Sequence, residues 1–329
     1  MKPLRIVAVL VVLLLLAAFY VGYRLMSPYR GFSGTVFVEI PRGTSAPGIA
    51  RMLADRGVLR SRWDFLLARV LERGRTLQAG EYRFQHADSP REIYDRIARG
   101  DIFYYELLVP EGFNIYDIAA AAEQLGLFPA REFVAAARDP SLIQDLDPSA
   151  PSLEGYLFPN TYRLSRKTTP VQLCRRMTGK FREVWNKLGA GANLHDTVTL
   201  ASLVEKEGKL SSERPMIAAV FENRLRIGMK LDCDPTTIYA AILDHRYRGS
   251  IYRSDLDSDN AYNTYRHAGL PPGPIANPGI ASLRAVLDPA PSKALYFVLR
   301  PNGSGAHEFS NTIAEHAAAT SLYRRSLEH

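Results

Sequence analysis

The chain has 329 residues, room for one large domain or two to three small ones. Hydrophobic content of 47% and charged content of 23% exclude general disorder. A net charge of +7 and a pI near 9.3 suit an anionic partner: nucleic acid, a membrane surface or an acidic polymer.

The N-terminus narrows that choice. Ile6 to Tyr23, "IVAVLVVLLLLAAFYVGY", is an uncharged, mostly apolar run of 18 residues between Arg5 and Arg24. That is just long enough to cross a bilayer as a helix. No small-x-small cleavage site follows it, so the expectation is an uncleaved anchor rather than a signal peptide. Lys2 and Arg5 precede the run and Arg24 and Arg30 follow it, so the positive-inside signal is weak. A short leader and a long following chain place the bulk outside the cytoplasm, in the periplasmic or extracytoplasmic space of a single-pass inner-membrane protein. Nucleic acid is thereby excluded as a partner.

A linker is expected over Met26 to Gly34, then a strand over Thr35 to Ile40 closed by the turn "PRGTS". A helix follows with Ile49, Met52 and Leu53 on one face, stopped by Gly57. The next begins near Arg62, with Trp63, Leu66, Leu67 and Val70 turned inward. Ala79 to Phe84 reads as a strand. Ser89, Pro90 and Glu92 form a capping box with proline at the first helical position, and Ile93 and Ile97 carry that helix's apolar face.

The unit repeats. Pro41, Gly43, Ile49, Ala50 and Gly57 recur 69 residues later as Pro110, Gly112, Ile118, Ala119 and Gly126. "GEYRF" is echoed by "EGYLF" (Glu154 to Phe158), and "SPREIYDRI" by "TPVQLCRRM" (Thr169 to Met177) 80 residues on. The expectation is two related α+β units, about 35–105 and 106–185. From Val198 the pattern changes: a helix through "VTLASLVEKEG"; another from near Ser212 to Gly228 with Ile217, Val220, Phe221 and Leu225 as its stripe; and a third opened by Asp234 as N-cap and Pro235 at N1. A long irregular region, Asp255 to Gly279, holds "YNTY" and "GLPPGPI". Ala294 to Leu299 reads as a strand, followed by "HEFS" and a final helix from about Thr312. The fold class is α+β: a transmembrane helix, then small α+β units, then a mixed catalytic domain.

The chemistry centres on "TLASLVEKEGKL". At 100° per residue, Leu200, Leu203, Val204 and Glu207 share one face within about 60°, while Glu205 points about 140° from Leu200, toward solvent. A carboxyl among apolar neighbours holds its proton, as a general acid near neutral pH must. Glu213, Asp232 and Asp234 are further carboxylates nearby. There is no H-E-x-x-H, G-x-S-x-G, P-loop or dinucleotide fingerprint. Cys174 and Cys233 alone cannot make a four-ligand zinc site; they either pair or stand as isolated buried thiols. No metal and no cofactor are expected. Tyr239, Tyr262, Asn263, Tyr265 and Asn277 supply aromatic faces and amides suited to a sugar.

The run "LASLVEKEG…SSERPMIAAVFENRLRIGMKLDCDPTTIYA…AYNTYRHAGLPPGPIANPG…YFV…HEFS" resembles the YceG-like family of endolytic murein transglycosylases. The likeness covers roughly Val109 to the C-terminus and includes "EGYLFPNTY" (Glu154 to Tyr162). The region before it, 31–105, is similar to a LysM-like subdomain, which leaves 1–30 as anchor and linker and 106–329 as the catalytic domain. One departure is His316-Ala317, where the family commonly has Asn after the His. The resemblance implies cleavage of peptidoglycan strands between N-acetylmuramic acid and N-acetylglucosamine to give 1,6-anhydro-muramoyl ends, with one Glu as acid and base. Related lytic enzymes carry the acid as Glu followed by a small residue, which Glu207-Gly208 fits better than Glu205-Lys206. It further implies Asn263 and Tyr265 along the glycan groove with Tyr239 and Tyr262, Asp234 as cap or hydroxyl ligand, Arg224 and Lys206 toward carboxylates of the polymer, and peptidoglycan synthases as partners. Two competing readings are a non-catalytic peptidoglycan-binding scaffold, which releases no product, and a true hydrolase, which gives water-added ends.

Overall fold

A computed structural model describes residues 2–72, 75–189, 191 and 193–327; the side chains of residues 2–4 lie outside that description. The chain divides into two compact units, Met1–Tyr105 and Glu106–His329.

The first unit opens with helix α1 (Lys2–Met26), which includes one candidate membrane span, Arg5–Met26. Strand β1 (Val36–Ile40) pairs antiparallel with β2 (Gly80–Phe84), Val38 opposite Tyr82. Helices α2 (Ala46–Asp55) and α3 (Arg62–Leu71) lie between them in sequence, and α4 (Pro90–Arg99) follows β2. The capping box of α4 is formed in both directions between Ser89 and Glu92. A helix this short needs both caps and packing to persist. Its inner face places Ile93, Tyr94 and Ile97 against Val38, Leu53, Phe65 and Tyr82. Leu25 of α1 is buried in the same core.

Two expectations fail in this unit. Met26 to Gly34 is no free linker: Tyr29 bridges to Asp88, and the Gly31 amide donates to the Gly57 carbonyl at 2.9 Å. A side chain on Gly57 (φ +71°) would meet that segment's backbone at 2.6 Å, so this close approach requires glycine. Helix α3 does not turn Trp63 and Val70 inward; both are 63% exposed. Phe65 and Ala68 fill the core instead.

The second unit begins with the same element order. Strand β3 (Tyr105–Val109) starts at the boundary residue, then come α5 (Ile115–Gln124), α6 (Ala130–Ala137), β4 (Asn160–Leu164) and α7 (Pro170–Leu188). β3 pairs with β4. The strand corresponding to "GEYRF" is therefore "NTYRL", 80 residues on, the same interval that separates the Ser89 and Thr169 caps. "EGYLF" is a turn whose Glu154, Tyr156 and Leu157 are buried. It sits elsewhere because Glu154 is needed as a hydrogen-bond hub.

That hub fixes the second unit. The Glu154 carboxyl accepts from the Ile115 amide at 3.0 Å, Tyr239 Oη at 3.0 Å and Asn277 Nδ2 at 2.8 Å. Asn277 Nδ2 also donates to the Phe113 carbonyl at 2.9 Å, and its Oδ1 accepts from the Leu157 amide at 2.9 Å. The start of α5, the "EGYLF" turn and the proline-rich loop are thus joined through two side chains. Gly155, at φ +87°, lies so close to Pro274 that a Cβ would sit 2.5 Å from its ring.

At the centre lies α8 (Leu194–Glu207), with every residue from Thr197 to Val204 buried. Helix α9 (Arg214–Arg226), reached by a 3-10 turn at Ser211–Glu213, and α12 (Ile280–Leu287) pack on it. Between α9 and α12 come α10 (Asp234–Leu243) and the short α11 (Arg253–Leu256). The N-cap of α10 is Cys233, with no side-chain cap bond, and Asp234 is the first helical residue; the expected Asp cap is displaced by one, and the Asp234 carboxylate instead accepts from Tyr265 Oη. Antiparallel β5 (Tyr296–Leu299) and β6 (His307–Ser310), with α13 (Ile313–Ser326), complete the unit.

Burial pushes the Glu154 carboxyl up from 4.5 to about 8, against the pull of its donors. A raised carboxyl stabilises the fold in its protonated form, so that contribution is full below 4.5 and lost as pH rises through 8. Unfolding free energy is expected to fall with a slope of up to ~1.4 kcal/mol per pH unit across that window. Denaturant melts at several pH values check this, and Glu154→Gln is expected to flatten the slope.

Candidate active site

The last turn of α8 carries two carboxylates in different surroundings. The Glu205 side chain is 4% exposed, not solvated as its helical phase suggests. It pairs with Arg214 at 2.7 Å and accepts from the Gly279 amide at 3.0 Å and Ser282 Oγ at 2.8 Å. The phase argument assumed a polar face, but α8 is enclosed on all sides and α12 covers the side where Glu205 emerges. Arg214 also reaches Glu111 at 3.4 Å and, through Nε, the Gly208 carbonyl at 3.5 Å.

Glu207 has no ion pair among the described residues. The Cys233 thiol donates to it, Sγ to Oε1, at 3.3 Å. Burial raises its pKa from the usual carboxylate value, with Asp234 adding to the shift and the thiol, His307 and Arg224 opposing it. The thiol is itself buried and pushed well above its usual value, so it is the donor. Gly208 lets the chain leave at this point: a Cβ there would sit 2.9 Å from Arg214 Cγ and 3.0 Å from the Val204 carbonyl.

Glu207 opens onto a cleft of about 380 Å³. Arg224, Asp232, Asp234, Tyr265 and His316 supply its other polar groups, and Phe221, Leu231, Tyr296, Phe297 and Ile313 its apolar wall. Tyr265 Oη donates to Asp234 at 2.7 Å. Arg224 is buried rather than on a solvated helix face. Its Nε donates to the Leu295 carbonyl and its Nη1 to the Leu231 carbonyl, both at 2.7 Å, and its guanidinium lies 5.4 Å from the Tyr296 ring centroid. It ties β5 to the 230–232 segment, where Asp232 is held at φ +46°. Such a conformation in a residue other than glycine is costly and concentrates at functional sites.

Of the expected residues the cleft brings together Glu207, Asp234, Tyr265 and Arg224. It does not include Asn263, Tyr239 or Tyr262. Asn263 is fully buried, donating to the carbonyls of Leu256 at 2.9 Å and Ser258 at 2.7 Å and accepting from Thr237 Oγ1 and the Tyr265 amide. Tyr239 serves the Glu154 hub and packs against Tyr262 at 5.1 Å. Lys206 is exposed, its Nζ donating to the Gly112 carbonyl at 3.2 Å.

Sequence reasoning assigned no role to His316 and Tyr296. Their rings stack at 5.2 Å on the cleft wall, and His316 Nδ1 has no hydrogen-bond partner among the described residues. The signal lay in "YFV" and the last helix, which only tertiary pairing brings to α8. Cys174 and Cys233 are both free. Among the described residues no group of three or more His, Cys, Asp or Glu is arranged to hold a metal ion.

A buried helix thus ends in a carboxyl that faces a polar cleft. Residues 38–321 match the YceG-like family, and the chain belongs to it. It is 32% identical over 332 residues to the endolytic murein transglycosylase of Bacillus subtilis, covering 93% of this chain and 90% of that one. It is 29% identical over 296 residues to the enzyme of the same name from Streptococcus pneumoniae strain R6, covering 80% of this chain and 54% of the longer relative. The 2.6 Å crystal structure of a yceG-like protein from Listeria monocytogenes superposes with a TM-score of 0.55 at 31% identity, over 86% of this chain and 98% of the other.

The two glutamates are expected to respond in opposite ways. Glu205→Gln leaves Arg214 buried without its main charge partner and is expected to destabilise the protein by about 3–5 kcal/mol. Glu207→Gln removes a poorly solvated acid and is expected to leave stability unchanged or raised. Denaturant midpoints of the two variants measured side by side test this.

Proposed function

We propose that this chain is a lytic transglycosylase that cleaves peptidoglycan strands internally, between N-acetylmuramic acid and N-acetylglucosamine, with Glu207 as both acid and base. The observation that carries the reading is a single enclosed carboxyl, without a charged partner, facing a polar cleft in a chain whose relatives bear the name endolytic murein transglycosylase.

With the Cys233 S–H donated to Oε1, the carboxyl proton resides on Oε2. Glu207 passes it to the glycosidic oxygen as the bond to C1 breaks. Charge develops at C1, and the muramoyl 6-hydroxyl adds there while its proton returns to Glu207. The C1–O bond lost is replaced by an intramolecular one, so no water is consumed. Tyr265 and Asp234 form a hydrogen-bonding pair for sugar hydroxyls, and the Tyr296–His316 stack supplies a flat wall for a ring face. Asp232 and Asp234 are the carboxylates a hydrolytic alternative would recruit as base.

In the same reading α1 anchors the protein in the inner membrane with its catalytic unit outside the cytoplasm. Residues 31–105 form the LysM-like subdomain and 106–329 the catalytic domain, 106–185 being a diverged repeat. Peptidoglycan synthases are the partners that the family resemblance adds.

Digestion of purified sacculi followed by mass spectrometry tests the reaction. Anhydro-ended fragments, lighter by one water than hydrolytic products, are expected, and Glu207→Gln is expected to lower the rate by at least about 10²-fold. Activity is expected to decline as pH rises through the raised pKa of Glu207, because the acid must be protonated. Reducing ends carrying added water would overturn the transglycosylase in favour of a hydrolase, and undiminished binding with no product would favour a scaffold.

A further inference from the structure

Helix α3 carries an apolar face that the first unit's core does not use. Trp63 and Val70 are each 63% exposed and Leu71 is 61% exposed. Residues seven apart share nearly one helical face, so Trp63 and Val70 stand in line ~10 Å apart along the helix. Two arginines occupy the same pair of turns: Arg62, its guanidinium 4.9 Å from the Trp63 ring centroid, and Arg69, exposed. Neither has an ion pair among the described residues.

The placement of this face follows from α1. Arg24 Nη2 meets Asp64 at 2.7 Å near the start of α3. Gly22, Leu25 and Met26 share a groove of about 200 Å³ with Ala68, Leu71 and Glu72 at its end. The start of α3 thus meets Arg24, and its last turn meets Gly22, Leu25 and Met26, so α3 packs beside the C-terminal end of α1. If α1 spans a bilayer, α3 therefore lies at the membrane edge, at the level where the span ends.

We infer that α3 is a membrane-docking helix, inserting Val70 and Leu71 at the edge of the acyl region and seating Trp63, Arg62 and Arg69 among anionic lipid headgroups on the leaflet from which α1 emerges. The inference rests on the reading of α1 as a membrane span. The composition of the face is the one a bilayer edge favours: exposed aliphatic side chains, a tryptophan, and arginines on apolar stems. The occupant is lipid rather than a protein because the face is continuous with the candidate span itself and its unpaired charges are all positive. Docking holds the first unit against the membrane, so α1 is not a free tether.

Tryptophan quenching in reconstituted full-length protein tests this. The chain has two tryptophans, Trp63 and Trp185, and Trp185 is buried in the core of the second unit. In nanodiscs of phosphatidylcholine and phosphatidylglycerol brominated high on the acyl chains, the wild type is expected to lose the Trp63 share of its emission. Trp63→Phe, an exposed and conservative change, is expected to show no quenching. Arg62→Glu with Arg69→Glu is expected to reduce the loss. Emission that bromine leaves unchanged in protein firmly held by the discs overturns the docking face and spares the span; Trp63 would then await a protein partner. Protein that does not stay with lipid on flotation overturns both.

Discussion

The carboxylate of Glu205 holds three segments in register. Through Arg214 it fixes α9, through the Gly279 amide and Ser282 hydroxyl it fixes α12, and it is itself part of the last turn of α8. Arg214 extends the arrangement to the Gly208 carbonyl, one residue past Glu207. The position of the proposed acid is therefore set by a neighbour that does no chemistry. A buried pair of this kind gains little over an apolar contact but is costly to break from one side. Its value here is geometric: a carboxyl that must face a cleft unpartnered cannot anchor itself.

The cleft is assembled from parts far apart in the chain. Asp232 and Asp234 flank the entry to α10, Tyr265 comes from the irregular loop, Tyr296 from β5 and His316 from α13. Buried polar side chains hold those parts together. Arg224 fastens the 230–232 segment to β5 through backbone carbonyls. Asn223 reaches the Ser292 and Ala294 carbonyls, and Asn263 gathers the loop that ends in Tyr265. Several polar residues that look like sugar ligands in the sequence are thus spent on the backbone of the site.

What the sequence made legible follows from how local each signal is. The α4 capping box, the Pro-opened helices and the apolar stripe of α9 depend on neighbours within a few positions, and they form where expected. The direction of Glu207 was legible for the same reason. Glu205 was misread because helical phase tells which residues share a face, not whether the opposite face is wet; the uncharged run Thr197 to Val204 was the sign that α8 has no wet face. Trp63 and Val70 failed in the other direction, since an apolar residue at helical spacing reads as core whether it meets protein or another apolar medium. Asn263 and Tyr239 could not be separated from ligand-facing residues, because a buried amide or phenol and an exposed one have the same letter.

The two carboxyls of "EKE" also stand in opposite backbone fields. Glu207 is the final residue of α8, where unsatisfied carbonyls give the helix terminus a partial negative charge. Ionising there works against the macrodipole, a further reason for this side chain to hold its proton. Glu205, two residues earlier, reaches across to the start of α12, where the amide of Gly279 is its donor and the terminus is positive. One helix end repels the charge of the acid while another receives the charge of its neighbour. Two chemically identical side chains, separated by a single lysine, thereby face helix termini of opposite sign.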